Sequence, residues 1–582
     1  MGIFILCRWY IFRRRTKPLF TAFKIGSHPQ WRGCTGVLKK PTFMKIPLLK
    51  ASALAVLCCG SMYAQDILWE RSYGGKQAEY LLDAQPTADY GFILAGASLS
   101  VKGGNKEEGN VGDLDYWVWK MNEKGEAEWQ KNLGGSGPDF LYSIRNTNDG
   151  GFILAGTSES NKGFNKIDAA LGKEDIWIVK LNAKGGEEWQ KTIGGPGQDL
   201  VKSISQTTDG GYIIGGSSAS PQSLKIMKGQ DDPYGKSEAC RGGLDYWVIK
   251  LDNKGKVAWQ RTIGGQYNDV LESIVQTQDG GYIMGGYSNS PASIDKSLDN
   301  YGAGDYWVVK VDKDGATEWE KLYGGEEDDH LYCIAQAKDG GYILGGSSAS
   351  ATTGNKSKTN KKGADFWVLK LDKKGNILWQ ETYNTGNVDV LTSLVENNDG
   401  TILIGGYAQS EVIGQGNKKD KKDINDYIAI KISNEGEELW KQTIGSNGED
   451  LLKKLVETRD GGYILAGTSK GAISRDKNSA KGSNDFWVVK LKDKDKKKKE
   501  EKRTLLEAIP NPAGEFTNII VGFDFNSGTA TLFDLSGRML QSFEVNSRTI
   551  PLDMSRYPEG VYIIEVKTDR GTDSVKVMRN RN

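Results

Sequence analysis

Histidine and cysteine are scarce in this chain of 582 residues. It contains two histidines, His28 and His330, and of its six cysteines only Cys240 and Cys333 follow residue 65. Zinc sites built on His, and catalytic pairs that use a His base, therefore have almost no material. Two cysteines without a spacing pattern also do not make a disulfide scaffold.

Acidic residues are missing from the first 65 positions. That stretch holds 11 of the 76 Lys and Arg and none of the 75 Asp and Glu, so the rest of the chain carries a net charge of −10. A mildly acidic chain gives no electrostatic basis for binding nucleic acid.

The segment 44–65, MKIPLLKASALAVLCCGSMYAQ, predicts a secretory signal peptide. It has a short basic start, an apolar run too short for a stop-transfer helix, and small residues before Gln65. Residues 1–43 then read as an upstream extension, and a membrane-anchored arm is the alternative.

Sequence repeats with a period near 60 residues cover most of the chain after residue 65. The phrase DFLYSIRNTNDGGFILAGTSES, a loop, and DIWIVKLNAKGGEEWQKTIGG recur in seven copies. Two tryptophan markers recur with them, at 117, 177, 247, 307, 367 and 487 (Ile428 in the sixth copy), and at 69, 129, 189, 259, 319, 379 and 440. Each copy predicts four short antiparallel strands joined by glycine turns. Four-stranded units repeated radially predict a β-propeller with seven blades over residues 66–491.

The first and last copies differ in a way that predicts how the ring closes. The seventh copy ends at DFWVVKLKDKD and lacks its fourth strand, whereas a spare fourth strand, ILWERSYGG, precedes the first copy. We expect this N-terminal strand to complete the seventh blade, because closure removes open sheet edges.

Every copy keeps an acid ten residues after its second tryptophan marker. Seven carboxylates near one mouth of the channel could bind Ca²⁺, which prefers carboxylate oxygens. The alternative is that each acid accepts backbone N–H bonds in its own Gly-Gly turn. The acids are Glu79, Asp139, Asp199, Asp269, Asp329, Asp389 and Asp450.

Two other features break the repeat. The long loops in the third and fourth copies contain Asp231, Asp232, Tyr234 and Tyr301, which we predict as ligand-binding residues because loops on a rigid scaffold carry function. Charged residues close to the channel axis in the first and last copies, Asp83 and Lys453, predict a salt bridge between neighbouring blades.

The repeats resemble a family of bacterial propeller repeats with DGG(Y/F)I and W(V/I)(V/I)K(L/V)D phrases. The stretch LDNKGKVAW at 251–259 also resembles the tryptophan-docking phrase of quinoprotein propellers. Those enzymes usually have eight blades and a vicinal disulfide, and the copies here number seven and lack vicinal cysteines.

The last 76 residues resemble the type A sorting domain of the type IX secretion system. The phrases IPNPAGEFTNIIV, ATLFDLSGRML and YPEGVYIIEVKT carry this resemblance. It implies a Bacteroidota cell, Sec export, contact with the type IX secretion machinery, and then release or attachment at the outer surface. A charged linker, 492–506, precedes this domain of 507–582. The matching positions are Pro510, Asn511, Pro512, Asp534, Gly537, Arg538, Gly560 and Tyr562.

The sequence thus predicts an all-β, secreted or cell-surface binding module that is a monomer, has a glycan or another cell-envelope partner, and holds no cofactor except possible Ca²⁺. A propeller enzyme acting on polysaccharide, or a quinoprotein-like oxidoreductase, is the alternative.

Overall fold

Short β-strands joined by glycine turns build almost all of this protein. The computed structural model describes residues 65–361, 363–409, 424–494 and 505–580. Within these residues the one helix is α1 (Leu224–Met227). The strands of the repeats are β1 (Asp66–Tyr73), β2 (Glu79–Pro86), β3 (Phe92–Ser98), β4 (Asp115–Met121), β5 (Ala127–Leu133), β6 (Asp139–Asn146), β7 (Phe152–Ser158), β8 (Asp175–Leu181), β9 (Glu187–Ile193), β10 (Asp199–Gln206), β11 (Tyr212–Ser218), β12 (Asp245–Leu251), β13 (Val257–Ile263), β14 (Asp269–Gln276), β15 (Tyr282–Ser288), β16 (Asp305–Val311), β17 (Thr317–Tyr323), β18 (Asp329–Gln336), β19 (Tyr342–Ser348), β20 (Asp365–Leu371), β21 (Ile377–Tyr383), β22 (Asp389–Glu396), β23 (Ile402–Gln409), β24 (Asn425–Ile432), β25 (Glu438–Ile444), β26 (Asp450–Glu457), β27 (Tyr463–Ser469) and β28 (Asp485–Lys492).

These strands form seven four-stranded antiparallel sheets in the described residues. Blades 1 to 6 are β2–β5, β6–β9, β10–β13, β14–β17, β18–β21 and β22–β25, each in sequence order. The first strand of each blade packs against the first strands of its neighbours, as β2 does against β6 and β26. The second and third strands are buried on both faces, so apolar side chains between the sheets make up the core. The fold is the all-β propeller architecture that the repeats predict.

Blade 7 takes its outer strand from the other end of the repeats. Strand β1 pairs antiparallel with β28, with Tyr73 opposite Phe486, and the sheet order is β1-β28-β27-β26. Strand β1 also supplies the hydrogen-bond acceptor that blades 1 to 5 supply from their own outer strand: the Glu70 carboxylate accepts the Trp487 indole N–H at 2.8 Å. The same bond joins Trp177 to Gln190 at 3.0 Å in blade 2.

The sixth blade lacks both the tryptophan donor and the acceptor of this indole hydrogen bond. Ile428 replaces the tryptophan there, and Lys441 stands where the acceptor would be. An indole N–H buried without an acceptor is costly, so the donor and the acceptor are present together or replaced together.

The turn between the first and second strands of each blade needs a left-handed residue. In blades 2 to 7 that residue is glycine, with φ near +80° in each, as in Gly150 (φ 78°). Blade 1 has Tyr90 at this position, at φ 66°. The Asp before the left-handed residue accepts the N–H of the residue after it, as Asp149 does from Gly151 at 3.0 Å. We call this structure the DG turn.

The C-terminal domain has two small sheets around an apolar core of its own. One has the order β29-β30-β33 and the other β32-β31-β34-β35. These strands are β29 (Leu506–Ile509), β30 (Phe516–Val521), β31 (Gly528–Asp534), β32 (Met539–Val545), β33 (Thr549–Asp553), β34 (Gly560–Thr568) and β35 (Gly571–Arg579).

Several predicted segments lie outside the described residues. They are the upstream extension 1–43, the signal peptide 44–65 except for Gln65, and positions 495–504 of the linker. These three assignments stay predictions.

Candidate functional site

The seven acids of the predicted calcium set are buried at the start of the innermost strand of each blade. Each accepts an N–H from the residue four positions earlier, at 2.5 to 3.1 Å, as Asp199 does from Gly195 at 2.7 Å. Serine hydroxyls add to this, and Ser220 donates to Asp199 at 2.8 Å. These are the turn-anchoring contacts that stand as the alternative to metal binding.

The seven acids do not form a cluster that could ligate a metal ion among the described residues. In the part of the chain that the structure describes, no group of three or more His, Cys, Asp or Glu is placed to hold a metal ion. Burial raises the pKa of each acid in the set, to about 6 for Asp139 and Asp389. Calcium binding by this set stays a prediction, which titration of Ca²⁺ into the EDTA-treated protein checks.

A set of buried lysines accompanies these acids and was missed at the sequence level. At most 2% of each is exposed. Five of the six ammonium groups donate hydrogen bonds that tie the long loops down, as Lys166 Nζ does to the Ser160 carbonyl at 2.8 Å. Nearby carboxylates favour the charged form of these lysines, as Asp175 and Asp139 do for Lys166. Burial lowers the pKa of Lys106, Lys236 and Lys356 to about 8. The set is Lys106, Lys166, Lys236, Lys296, Lys356 and Lys477.

A constant spacing was the available signal for these lysines. In five copies the lysine follows the last residue of the second strand, a serine, by eight positions, as Lys106 follows Ser98. Loop lysines are usually solvated, so this spacing alone does not predict burial.

Tyr301, one of the predicted ligand-binding residues, lines a cleft of about 430 Å³ between blades 4 and 5. Its side chain is half exposed. The cleft also presents Asp299, Lys321, Asn355 and Asn376, and the Asn355 amide donates to the Tyr301 hydroxyl at 3.4 Å. An aromatic ring with a carboxylate, an amine and two amides around it has the chemistry that suits a polar ligand with an apolar face, and ligand binding by Tyr301 stays a prediction.

A glycine makes this position of the tyrosine ring possible. A Cβ atom on Gly354 would lie 2.8 Å from Tyr301 Cγ, and Gly354 has a φ of 59°. Any larger residue there would push the ring out of the cleft and would itself be strained.

The other three predicted ligand-binding residues do not line this cleft. Asp232 accepts the Ser223 hydroxyl within its own loop. Tyr234 packs against the apolar cluster between blades 2 and 3, with Lys191 Nζ 5.4 Å from its ring centroid. Asp231 is exposed to solvent. A ligand-binding role for these three stays a prediction.

The predicted salt bridge near the channel axis uses the next lysine along the chain. Lys454 Nζ lies 3.9 Å from Asp83 Oδ1, whereas Lys453 Nζ lies 5.7 Å from the ring centroid of Tyr407. The prediction of Lys453 was wrong by one residue, because alternate side chains of a strand point in opposite directions. Arg145 is the closer cation, and its guanidinium and Lys454 help to hold the pKa of Asp83 below its usual range.

The histidine and the cysteine near the axis are packed into the blades. His330 stacks on Tyr287 with ring centroids 4.1 Å apart, and burial lowers its pKa. Burial raises the pKa of the Cys333 thiol to about 12, so the thiolate is hardly populated at neutral pH.

The sorting-motif residues hold turns and strand ends of the C-terminal domain. Asn511 connects its loop to β35 by donating to the Lys576 carbonyl at 2.8 Å. Asp534 accepts the Arg538 N–H at 3.1 Å across a turn in which Gly537 has a φ of 82°. The Tyr562 hydroxyl donates to the Pro558 carbonyl at 2.7 Å. Pro510 and Pro512 flank Asn511 and Gly560 begins β34, so the motif is mainly turn chemistry.

The fold and the C-terminal motif together define a β-propeller protein that ends in a sorting domain. Residues 507–580 match the family of secretion system C-terminal sorting domains. This domain implies interaction with the type IX secretion machinery and export to the cell surface or the extracellular space. Among the described residues, no helix is long and apolar enough to cross a membrane.

Similarity to individual known proteins is distant. The regulatory protein FlaEY of Caulobacter vibrioides is 22% identical over 230 residues, which cover 38% of this chain and 23% of that protein. Two solved structures are similar at 9% identity. They are YCF48 bound to D1 peptide (TM-score 0.38, covering 75% of this chain and 99% of that chain) and a member of the DUF4221 family from Bacteroides vulgatus (TM-score 0.28, covering 74% and 98%).

Proposed function

We propose that this protein is an exported binding module and that its propeller binds a carbohydrate of the cell envelope or the surroundings in the cleft at Tyr301. The observation that carries this proposal is the half-exposed tyrosine ring among polar side chains in a cleft of about 430 Å³. Sugars present an apolar C–H face and a rim of hydroxyls, so a ring bordered by amide, carboxylate and ammonium groups matches both parts.

The cleft breaks the symmetry of the propeller, as a binding site commonly does. At the corresponding place between blades 3 and 4, Arg241 replaces the tyrosine and forms an ion pair with Asp295 at 2.7 Å. In blade 2 the corresponding residue is Leu171. Tyr301 is thus the one aromatic residue that the described copies have at this position.

Replacing the tyrosine ring tests the proposal. We expect Tyr301→Ala to lower the affinity for a carbohydrate found on a broad glycan panel by about tenfold or more, which is a loss of about 1.4 kcal/mol. The reason for the loss is that the ring supplies the main apolar contact to the sugar. The measurement is isothermal titration of the protein from Gln65 to Asn582.

Leu171→Ala is the matched control, since it removes an apolar side chain from the corresponding position of blade 2. Equal affinity losses in both variants, or no carbohydrate ligand on the panel, would contradict the proposal. Repeating the titration with Ca²⁺ and with EDTA separates the cleft from the buried acids, since dependence on Ca²⁺ would assign a role to the acids.

A further inference from the structure

Tyr90 is the one non-glycine residue at the left-handed position of the seven DG turns. A bulky residue at φ 66° is strained, and the glycines of the other six turns are not. The guanidinium group of Arg459 makes a cation–π contact with the Tyr90 ring, with Arg459 Cζ 4.1 Å from the ring centroid. Arg459 comes from the DG turn of blade 7 and also donates to the Ala88 carbonyl of blade 1. The strained tyrosine therefore serves a contact between the first and last blades.

The same arginine reaches the C-terminal domain. Arg459 Nη2 lies 2.5 Å from Glu507 Oε2, at the start of β29. Both side chains are partly buried, so this ion pair is less screened than one at an open surface. One guanidinium group thus connects blade 7, blade 1 and the sorting domain.

Two hydrogen bonds extend this contact over blades 1 and 2. The Thr549 hydroxyl donates to Asp89 Oδ2 at 3.1 Å, and the Asn518 amide donates to the Asn148 carbonyl at 3.2 Å. The Asp89 side chain is only 7% exposed, whereas its counterparts in the other DG turns are 30–63% exposed. The sorting domain accounts for this difference by covering Asp89.

Charges around these contacts are complementary. Lys124 of blade 1 faces Asp524 of the sorting domain at 3.8 Å, and Glu123 faces Arg548 at 4.0 Å. In blade 2, Lys184 donates to Asn546 at 2.9 Å. Each of these surface pairs contributes little alone, but all of them favour the same orientation.

We propose that the DG turns of blades 7, 1 and 2 form a docking patch for the sorting domain of the same chain, and that the docked domain holds the first and last blades together. The patch consists of Ala88, Asp89, Tyr90, Asn148 and Arg459. The sorting domain is carried against the propeller and is not a freely tethered tail. Its removal frees the patch and takes away a connection between the blades where the ring closes.

Hydrogen exchange on the chain from Gln65 to Asn582 tests this docking. Arg459→Glu places two carboxylates together, so we expect the amides of 87–91 and 147–151 to exchange about tenfold faster, while those of 207–211 in blade 3 do not change. Glu507→Arg alone should have the same effect, although Glu507 lies outside the propeller. The double variant, with the charges exchanged, should restore slow exchange. Because the contact is polar, the protection should weaken between about 0.05 M and 0.5 M salt.

Two further variants separate docking from a purely structural role. Lys338→Glu reverses a charge at the corresponding position of blade 5 and should leave exchange in 87–91 unchanged. Tyr90→Gly should speed exchange in 147–151 without lowering the unfolding temperature, since glycine relieves the strain of the turn. Unchanged exchange in Arg459→Glu, or failure of the double variant to restore it, would overturn the proposal.

Discussion

Deleting residues 65–74 removes strand β1 and should abolish the cooperative unfolding of the propeller. Tyr73 is 4% exposed and packs on Trp119 of blade 1, with ring centroids 4.7 Å apart. Losing the burial of Tyr73 and Trp69 costs roughly 3–6 kcal/mol. The deletion also leaves the Trp487 indole N–H without its Glu70 acceptor, which adds about 1–3 kcal/mol. These losses together approach the whole stability of a typical domain.

The deletion should also make the protein associate. Strand β28 would become an open edge with unpaired N–H and C=O groups, and such edges pair with other chains. The measurements are urea unfolding followed by tryptophan fluorescence and size-exclusion chromatography over a range of concentrations. We expect a broad transition and oligomers that grow with concentration.

A synthetic peptide with the sequence DILWERSYGG provides the sharpest control. Added in trans, it should pair with β28 and restore both the sharp transition and the monomer, because main-chain hydrogen bonds and alternate side chains specify that place. Leu68→Ser is the matched point variant, since Leu68 is 51% exposed on β1 and its loss should change little. A deleted protein that stays monomeric and unfolds cooperatively would show that β1 does not stabilise the ring.

The pairing of β1 with β28 could be predicted because it depends on where within a repeat the first copy begins and the last copy ends. A missing strand at one end and a spare strand at the other are visible in the letters alone, and the fold has one place for the spare strand. The strand boundaries could be predicted for the same reason, since each turn has a glycine or an Asp at a fixed position.

The cleft could not be predicted in the same way. Tyr301 was identified because it is an aromatic residue in a long loop, but its partners Lys321 and Asn355 come from an outer strand and from the loop of the next blade. No sequence pattern shows that these segments meet. Asp232 and Tyr234 looked similar in the sequence, and their contacts lie within their own loop and its blade interface, because a long loop satisfies many of its polar groups internally.

The unfolding temperature of the propeller should fall by about 5 °C or more between pH 5 and pH 8. Burial raises the pKa of Asp305 to about 7 and the pKa values of Asp139, Asp245 and Asp389 to about 6. An acid whose pKa is raised in the folded state adds stability below its unfolded pKa, near 4, and this stability is lost as pH rises through the folded pKa. For Asp305 the full pKa difference corresponds to roughly 4 kcal/mol, of which about 3 kcal/mol is lost between pH 5 and pH 8 because the unfolded carboxyl already ionises near pH 4.

The other titrating groups act mostly outside this window. Carboxylates with lowered pKa values, such as Asp89 and Asp149, lose their contribution only below about pH 4. The buried lysines with pKa values of about 8 regain stability only at higher pH, as the unfolded chain stays protonated up to about pH 10. His330 acts in the opposite direction, because burial lowers its pKa and so disfavours its charged form in the fold, but it is a single group.

The Asp305→Asn variant tests whether the buried carboxylates cause the fall of the unfolding temperature. The amide oxygen can still accept the Tyr301 N–H, which Asp305 Oδ2 accepts at 2.7 Å, but it does not titrate. We expect the variant to unfold at a higher temperature than the parent at pH 8, with a smaller difference at pH 5. Asp312→Asn is the control, because Asp312 is partly exposed in a hairpin and its pKa is lowered, so it stays ionised throughout the window. A flat or rising unfolding temperature from pH 5 to pH 8, measured by differential scanning calorimetry, would mean that the buried acids stay ionised beside the lysines of the long loops.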